Sequence, residues 1–357
     1  MAHKLPDFPW DRLTPYKERA LAHPDGIVDL SVGTPVDSVP RVVQDALVAA
    51  ADSPGYPLTH GTPALRTAAA GWLARRHGVS VDQNDVLPVL GTKEFIAWLP
   101  TYLGSTSVVF PSLAYPTYDV GARLAGASAV AADGLLTLGP APVDLVWVNS
   151  PSNPTGRVLP AEHLRKVVAW ARERGAIVAS DECYIELGWE AEPVSILHPD
   201  VCGGSHEGLL AVHSLSKRSN LAGYRAGFVT GDPALVKRLL EIRKHAGMLM
   251  PQPVQSAMAA ALADDAHAKE QRERYAARRA VLRPALERAG WRIEHSTAGL
   301  YLWASNGENC WDQVGSLSEI GILAAPGDFY GVAGERHVRI ALTATDERID
   351  AAVRRLH

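Results

Sequence analysis

Ser214-Leu-Ser-Lys217-Arg-Ser-Asn-Leu-Ala-Gly-Tyr-Arg225-Ala-Gly-Phe228 holds a lysine between two apolar runs, 209–212 and 226–230. Short apolar runs bounded by turn residues read as buried strands, so Lys217 falls in the loop between two of them. A lone loop lysine is usually just solvated. Three further segments change that reading: Asn149-Ser-Pro-Ser-Asn153-Pro-Thr-Gly156, Ser180-Asp181-Glu-Cys-Tyr184 and Val89-Leu-Gly91-Thr-Lys93-Glu94. Singly they read as a turn, a capping aspartate and a helix start. Each follows an apolar run, and ligands of open α/β sheets bind beyond the carboxyl ends of the strands. Their joint occurrence in this order marks one site.

Outward from these segments the pattern alternates. Strands are predicted at 85–90, 107–110, 144–148 and 176–180. Helices are predicted at 39–51, 62–76, from Lys93 to residue 103, up to residue 125, and at 160–174. Thr62 suits an N-cap and Pro63 the first helical position. Non-alternating apolar strands separated by helices indicate an α/β fold with a mainly parallel sheet covered on both faces. Residues 264–290 form a long charged helix, and 291–294, 299–303 and 337–342 suggest a smaller antiparallel sheet. Residues 1–40, rich in proline, read as an extended arm with short turns. The expected division is an arm over 1–44 that joins the small domain, a large domain over 45–263 and a small α+β domain over 264–357.

The chain has 357 residues and a formal net charge of −4, which gives no electrostatic reason to expect nucleic acid or an anionic membrane as partner. No apolar run is long enough for a membrane span or a signal peptide. Cys183, Cys202 and Cys310 are few and far apart, which points to a reducing cytoplasm and no metal site. The basic run 271–279 reads as a solvated helix face.

Together the four segments resemble the class I/II aminotransferases, the fold-type-I family that uses pyridoxal 5'-phosphate (PLP). The resemblance runs from about Leu30 to Arg348. It implies a large domain with a mixed, mainly parallel sheet and a smaller α+β domain. It implies that Lys217 bonds the cofactor and serves as the catalytic base, because a primary amine can bond the aldehyde and later carry a proton. Asp181 matches the acid that keeps the cofactor ring nitrogen protonated. Tyr184 and Asn153 match the donors to its phenolic oxygen. Gly91, Thr92 and Lys93 open a helix whose free N–H groups suit a phosphate dianion, and Ser214 and Arg225 match its side-chain contacts. Tyr115 matches the ring that stacks on the cofactor. Tyr56 matches a tyrosine that reaches the phosphate of the neighbouring subunit, which implies a homodimer. On the substrate side, Arg339 matches the arginine that grips the α-carboxylate, with Asn153 beside it, and Gly33 matches the small residue of the arm that admits the substrate. The linker 104–107, Gly-Ser-Thr-Ser, departs from the longer turn of many relatives but lies away from these residues.

The stretches Leu5-Pro-Asp-Phe-Pro-Trp-Asp11, His23-Pro-Asp-Gly-Ile-Val-Asp-Leu-Ser-Val-Gly-Thr-Pro35 and Arg243-Lys-His-Ala-Gly-Met248 are similar to the actinobacterial branch of N-succinyldiaminopimelate aminotransferases. That implies transfer between N-succinyl-LL-2,6-diaminopimelate and 2-oxoglutarate in lysine biosynthesis. The second charged end of such a substrate needs a further cation, with Arg12, Lys17, Arg19 and Lys244 as candidates. An aminotransferase for aspartate, an aromatic amino acid or LL-diaminopimelate is the nearest alternative. A PLP β-lyase is a second. A ligand sensor fused to a DNA-binding module is a third, and the arm before Gly33 is too short and not basic enough for it.

Overall fold

The computed structural model describes residues 5–356, so the ends of the expected division, residues 1–4 and 357, lie outside the described residues. The proline-rich arm is not extended throughout. A 3-10 turn over Pro9–Leu13 runs into a helix, α1 (Thr14–Leu21), before a short strand, β1 (Val28–Asp29). Pro9 and Pro15 both fall in a first turn, where the missing N–H is no loss, so the prolines that suggested extended chain start helix instead.

After α2 (Arg41–Ala49), Thr62 caps α3 (Pro63–His77), its hydroxyl accepting from the Leu65 N–H at 3.2 Å. The alternation follows: β2 (Val86–Leu90), α4 (Thr92–Leu103), β3 (Ser107–Phe110), α5 (Thr117–Leu124), β4 (Ser128–Ala131), β5 (Leu145–Asn149), α6 (Ala161–Arg174), β6 (Ile177–Asp181), the short α7 (Pro199–Cys202), β7 (Leu209–Ser214) and β8 (Ala226–Gly231). These strands form one sheet in the order β2-β8-β7-β6-β5-β3-β4. All its pairings are parallel except the two made by β8. One face packs under Trp72, Trp170 and Phe228, the other under Phe95, Tyr118 and Trp147.

The register matters for function. Asn149 stands opposite Asp181, and Asp181 opposite Val212, so β5 and β6 end level with each other and β7 runs two residues further to Ser214. Buried, strand-paired ends of this kind are rigid platforms for side chains.

Beyond β8 come α8 (Pro233–His245), α9 (Gln252–Ala263) and the long α10 (Ala266–Arg288). Then β9 (Arg292–Glu294), β10 (Tyr301–Ser305), α11 (Cys310–Glu319), β11 (Ile322–Leu323), β12 (Ala325–Pro326), β13 (Val338–Ala341) and α12 (Asp346–Arg355) build a second core. Its sheet runs β12-β13-β10-β9, all antiparallel. The arm belongs to this core: β1 pairs in parallel with β11, and the Ala341 N–H donates to the Leu30 carbonyl at 2.9 Å.

The basic run 271–279 is a solvated face only in part: Glu273, Arg274 and Ala277 are exposed, while Gln271, Tyr275 and Arg278 are buried. Arg278 is buried and donates to both Asp37 carboxylate oxygens at 2.6 and 2.8 Å and to Asp346 at 2.6 Å. Gln271, also buried, donates to Asp37 and accepts from Asn220. A buried charge is tolerated when it is paired and hydrogen-bonded, and here one carboxylate, Asp37, comes from the arm and the other, Asp346, from the start of α12.

Candidate active site

The loop after β7 carries Lys217, which lies between the two cores. Its ammonium donates to the carbonyl of Gly33 in the arm. Burial pulls the Lys217 pKa below the usual lysine range, which raises the fraction of free amine. A side chain at Gly33 would collide with the Tyr301 hydroxyl, so only glycine lets the arm pass there.

Asp181 ends β6 and is buried. It accepts from the Tyr118 hydroxyl at 2.8 Å and from the Cys183 N–H at 3.2 Å. Among the described residues no basic side chain pairs with it. Burial pushes its carboxyl up, and the Cys183 and Tyr118 donors oppose that. A buried carboxylate held by two donors still lacks a cation. A protonated ring nitrogen is the partner that this arrangement lacks, so Asp181 fits the cofactor.

Asn149 organises the next turn. Its amide donates to the Asp181 carbonyl at 2.9 Å and accepts from the Asn153 N–H at 2.7 Å. Asn153 is thereby fixed, and its side-chain oxygen accepts from Arg339 at 3.0 Å. Arg339 on β13 also donates to the Ser31 carbonyl at 2.7 Å, with its guanidinium 3.9 Å from the Tyr301 ring centroid and 4.9 Å from that of Tyr330. Arg339 is buried, and its Nε–H has no partner among the described residues. A buried, aromatic-flanked arginine with a free donor suits a carboxylate. Tyr184 pairs with Tyr301 through their hydroxyls at 3.1 Å.

At the start of α4, Gly91 has φ +78° and ψ 151°, a conformation nearly confined to glycine, and a side chain there would strike the Arg225 guanidinium. The first N–H groups of α4, Gly91 and Arg225 therefore meet in one cradle suited to a phosphate. Thr92 is tied to β6 through Cys183, whose thiol donates to its hydroxyl at 3.3 Å. The Lys93 side chain is exposed and stands 5.6 Å from the Phe8 ring centroid, so what it offers the cradle is its backbone. Ser214, at the end of β7, is buried and accepts from the Ser216 N–H at 3.1 Å. Tyr115 sits before α5, edge-on to Tyr118, and burial pushes its phenol up to about 12. Tyr56 is 96% exposed and joins none of these contacts.

Sequence reading missed Tyr118, Asn149, Tyr301 and Tyr330, whose roles arise from tertiary contacts. A partial signal exists for Tyr301: the strand expected over 299–303 places it on the same face as Trp303. Among the cations considered for a distal charge, Arg12 reaches Asp328 at 3.2 Å and lies 4.4 Å from the Trp311 ring centroid. Arg19 lies near Glu319, and Lys244 pairs with Glu241 on α8. The described residues contain no group of three or more metal-ligating side chains and no helix long and apolar enough to cross a membrane.

Residues 25–356 match the family model for aminotransferase class I and II. The chain is 65% identical over 356 residues to the 4-dedimethylamino-4-oxo-anhydrotetracycline transaminase of Streptomyces rimosus, covering 99% of each. It is 64% identical to a probable aminotransferase of Mycobacterium tuberculosis, covering 99% of this chain and 85% of that one. Among solved structures, a probable N-succinyldiaminopimelate aminotransferase of Thermus thermophilus superposes with a TM-score of 0.88 at 28% identity, covering 98% and 99%. These two relatives do not bear the succinyldiaminopimelate name that the sequence suggested; the family is shared, the substrate is not given by it. The chain belongs to the class I and II aminotransferases, a PLP-dependent family with the fold-type-I architecture.

Proposed function

We propose that this class I and II aminotransferase moves an amino group between N-succinyl-LL-2,6-diaminopimelate and 2-oxoglutarate, with glutamate as the donor in the biosynthetic direction. The observation that carries the reading of an α-amino carboxylate substrate is Arg339, buried beside Asn153 with a donor unpaired. Arg12, held by Asp328 two residues before Tyr330, is the cation we assign to the distal carboxylate.

The cofactor, when bound, supplies an aldehyde that bonds the amine and a ring that draws electrons from the substrate Cα. Lys217 holds it before substrate arrives, and its burial-lowered pKa keeps Nζ able to accept a proton. Once free, Nζ would be the base that takes the proton from the substrate Cα and holds it within the site for its return. Asp181 holds the proton of the ring nitrogen, with Tyr118 and Cys183 keeping the carboxylate in place. Tyr184 and Asn153 address the ring oxygen, and Tyr115 packs against the ring. Gly91, Thr92, the Lys93 backbone, Ser214 and Arg225 take the phosphate. Arg339 fixes the α-carboxylate, so Cα stands within reach of Nζ, and Gly33 leaves the entrance open. A homodimer, with exposed Tyr56 completing the phosphate site of its partner, belongs to the same proposal. So does a division at 44/45, which falls within α2, and at 263/264, the end of α9.

A second reading follows the Streptomyces relative, which is named for an oxo-anhydrotetracycline. Phe8, Trp10, Phe329 and Trp311 form a chain of ring contacts of 5.2 to 5.7 Å beside Arg12, a surface suited to a flat ring system.

The test is a half-reaction followed by absorbance on the PLP-loaded protein with glutamate, aspartate, phenylalanine, LL-diaminopimelate and N-succinyl-LL-diaminopimelate. Conversion to the pyridoxamine form by glutamate and the succinylated donor is expected. Conversion only by other donors discards the pathway, and inertness toward all of them discards the reading of Arg339.

A further inference from the structure

We propose that Tyr330 is a substrate-binding residue whose hydroxyl donates a hydrogen bond to the carboxylate held by Arg339; this rests on the α-amino carboxylate reading above. Tyr330 is 2% exposed, and its hydroxyl has no partner among the described residues. Buried hydroxyls nearly always have one, and an exception inside a site calls for an explanation.

The ring is not free to swing out and find water. The Tyr330 carbonyl accepts from the Ala114 N–H at 2.8 Å, tying it to the loop that presents Tyr115. Its ring stands edge-on to Trp303, centroids 6.2 Å apart. The next residue, Gly331, packs so closely on the Ser112 carbonyl that a side chain there would collide with it. The charged and titratable groups that act on the hydroxyl are Arg339, Tyr301 and Tyr115.

Arg339 has spent one Nη on Asn153 and the other on Ser31, and its Nε–H is also without a partner. Two buried polar groups of neighbouring residues are thus unpaired together. The guanidinium can only donate, and it lies against the Tyr330 ring, so the two do not satisfy one another. What both lack is an acceptor with several lone pairs. A carboxylate has two such oxygens, one for the arginine and one for the phenol. The hydroxyl thereby adds to the arginine a fixed direction for the carboxylate.

Tyr330→Phe removes one oxygen and keeps the packing. Steady-state kinetics should show KM raised roughly tenfold or more for every α-amino acid that the wild type accepts, the usual worth of a hydrogen bond to a charged group. The kcat should change less than about twofold, since the contact is made before and during the chemical step alike. A primary amine lacking the carboxylate should react equally with variant and wild type. An unchanged KM in the variant, or a rise confined to one donor, overturns the proposal while leaving the function reading intact. A wild type inert with every α-amino acid instead sinks that reading, and this proposal with it.

Discussion

Asp181 and Glu182 are neighbours in sequence with different surroundings. Asp181 has two donors and, when loaded, a ring N–H. Glu182 points the other way, accepting from the Ile196 N–H at 2.8 Å and lying 3.7 Å from His213. Burial raises the Glu182 carboxyl to about 7 and drives His213 well below its ordinary value, so the pair is largely neutral. The sign of the linkage follows. Between the ordinary value of 4.5 and about 7, the folded protein holds a proton on Glu182 that the unfolded chain releases, so this group's contribution to stability falls as pH rises through that window. Glu182→Gln removes the dependence. Its stability relative to wild type, measured by denaturant unfolding, should therefore improve steadily from pH 4.5 to 7; a difference that ignores pH contradicts this.

At the scale of elements, starts and stops were legible where one residue type has one physical use. Thr62 and Pro63 opened α3 as expected, and Gly91 opened α4. The edge strand β4 was not legible, because Ser128-Ala-Val-Ala131 is small and partly exposed. Nor was α1, because a proline in a first helical turn is indistinguishable by composition from one in extended chain. Gly91 carries the sharpest prediction here. Its backbone lies in a region that costs other residues on the order of 1–3 kcal/mol, and a methyl group would displace Arg225. Gly91→Ala should lower PLP affinity about tenfold or more, in line with that strain, with the far-ultraviolet dichroism of the wild type retained. Fluorescence titration with PLP checks it, and unchanged affinity would contradict the cradle.

Across the whole molecule, the fold class and the four motif segments could be read because each motif is local: strand, turn and functional residue lie within a few positions. What could not be read is what distant segments do to one another. Tyr118 meets Asp181, Tyr301 meets Tyr184, and the arm's Ser31 and Gly33 meet Arg339 and Lys217 only in the folded chain, across separations of 63 to 308 residues. The buried side of α10 is illegible in the sequence for the same reason, since the carboxylate of Asp37 that neutralises Arg278 comes from the other end of the chain. The site is thus a product of the arm, the large sheet and the small sheet together, with Lys217 where they meet. Borohydride reduction of the PLP-loaded protein, followed by peptide mass mapping, tests that centre most directly. The account predicts the cofactor fixed to the peptide that contains Lys217 and to no other lysine. Fixation at a different lysine, or no fixation in a folded protein that has been given PLP, would contradict it.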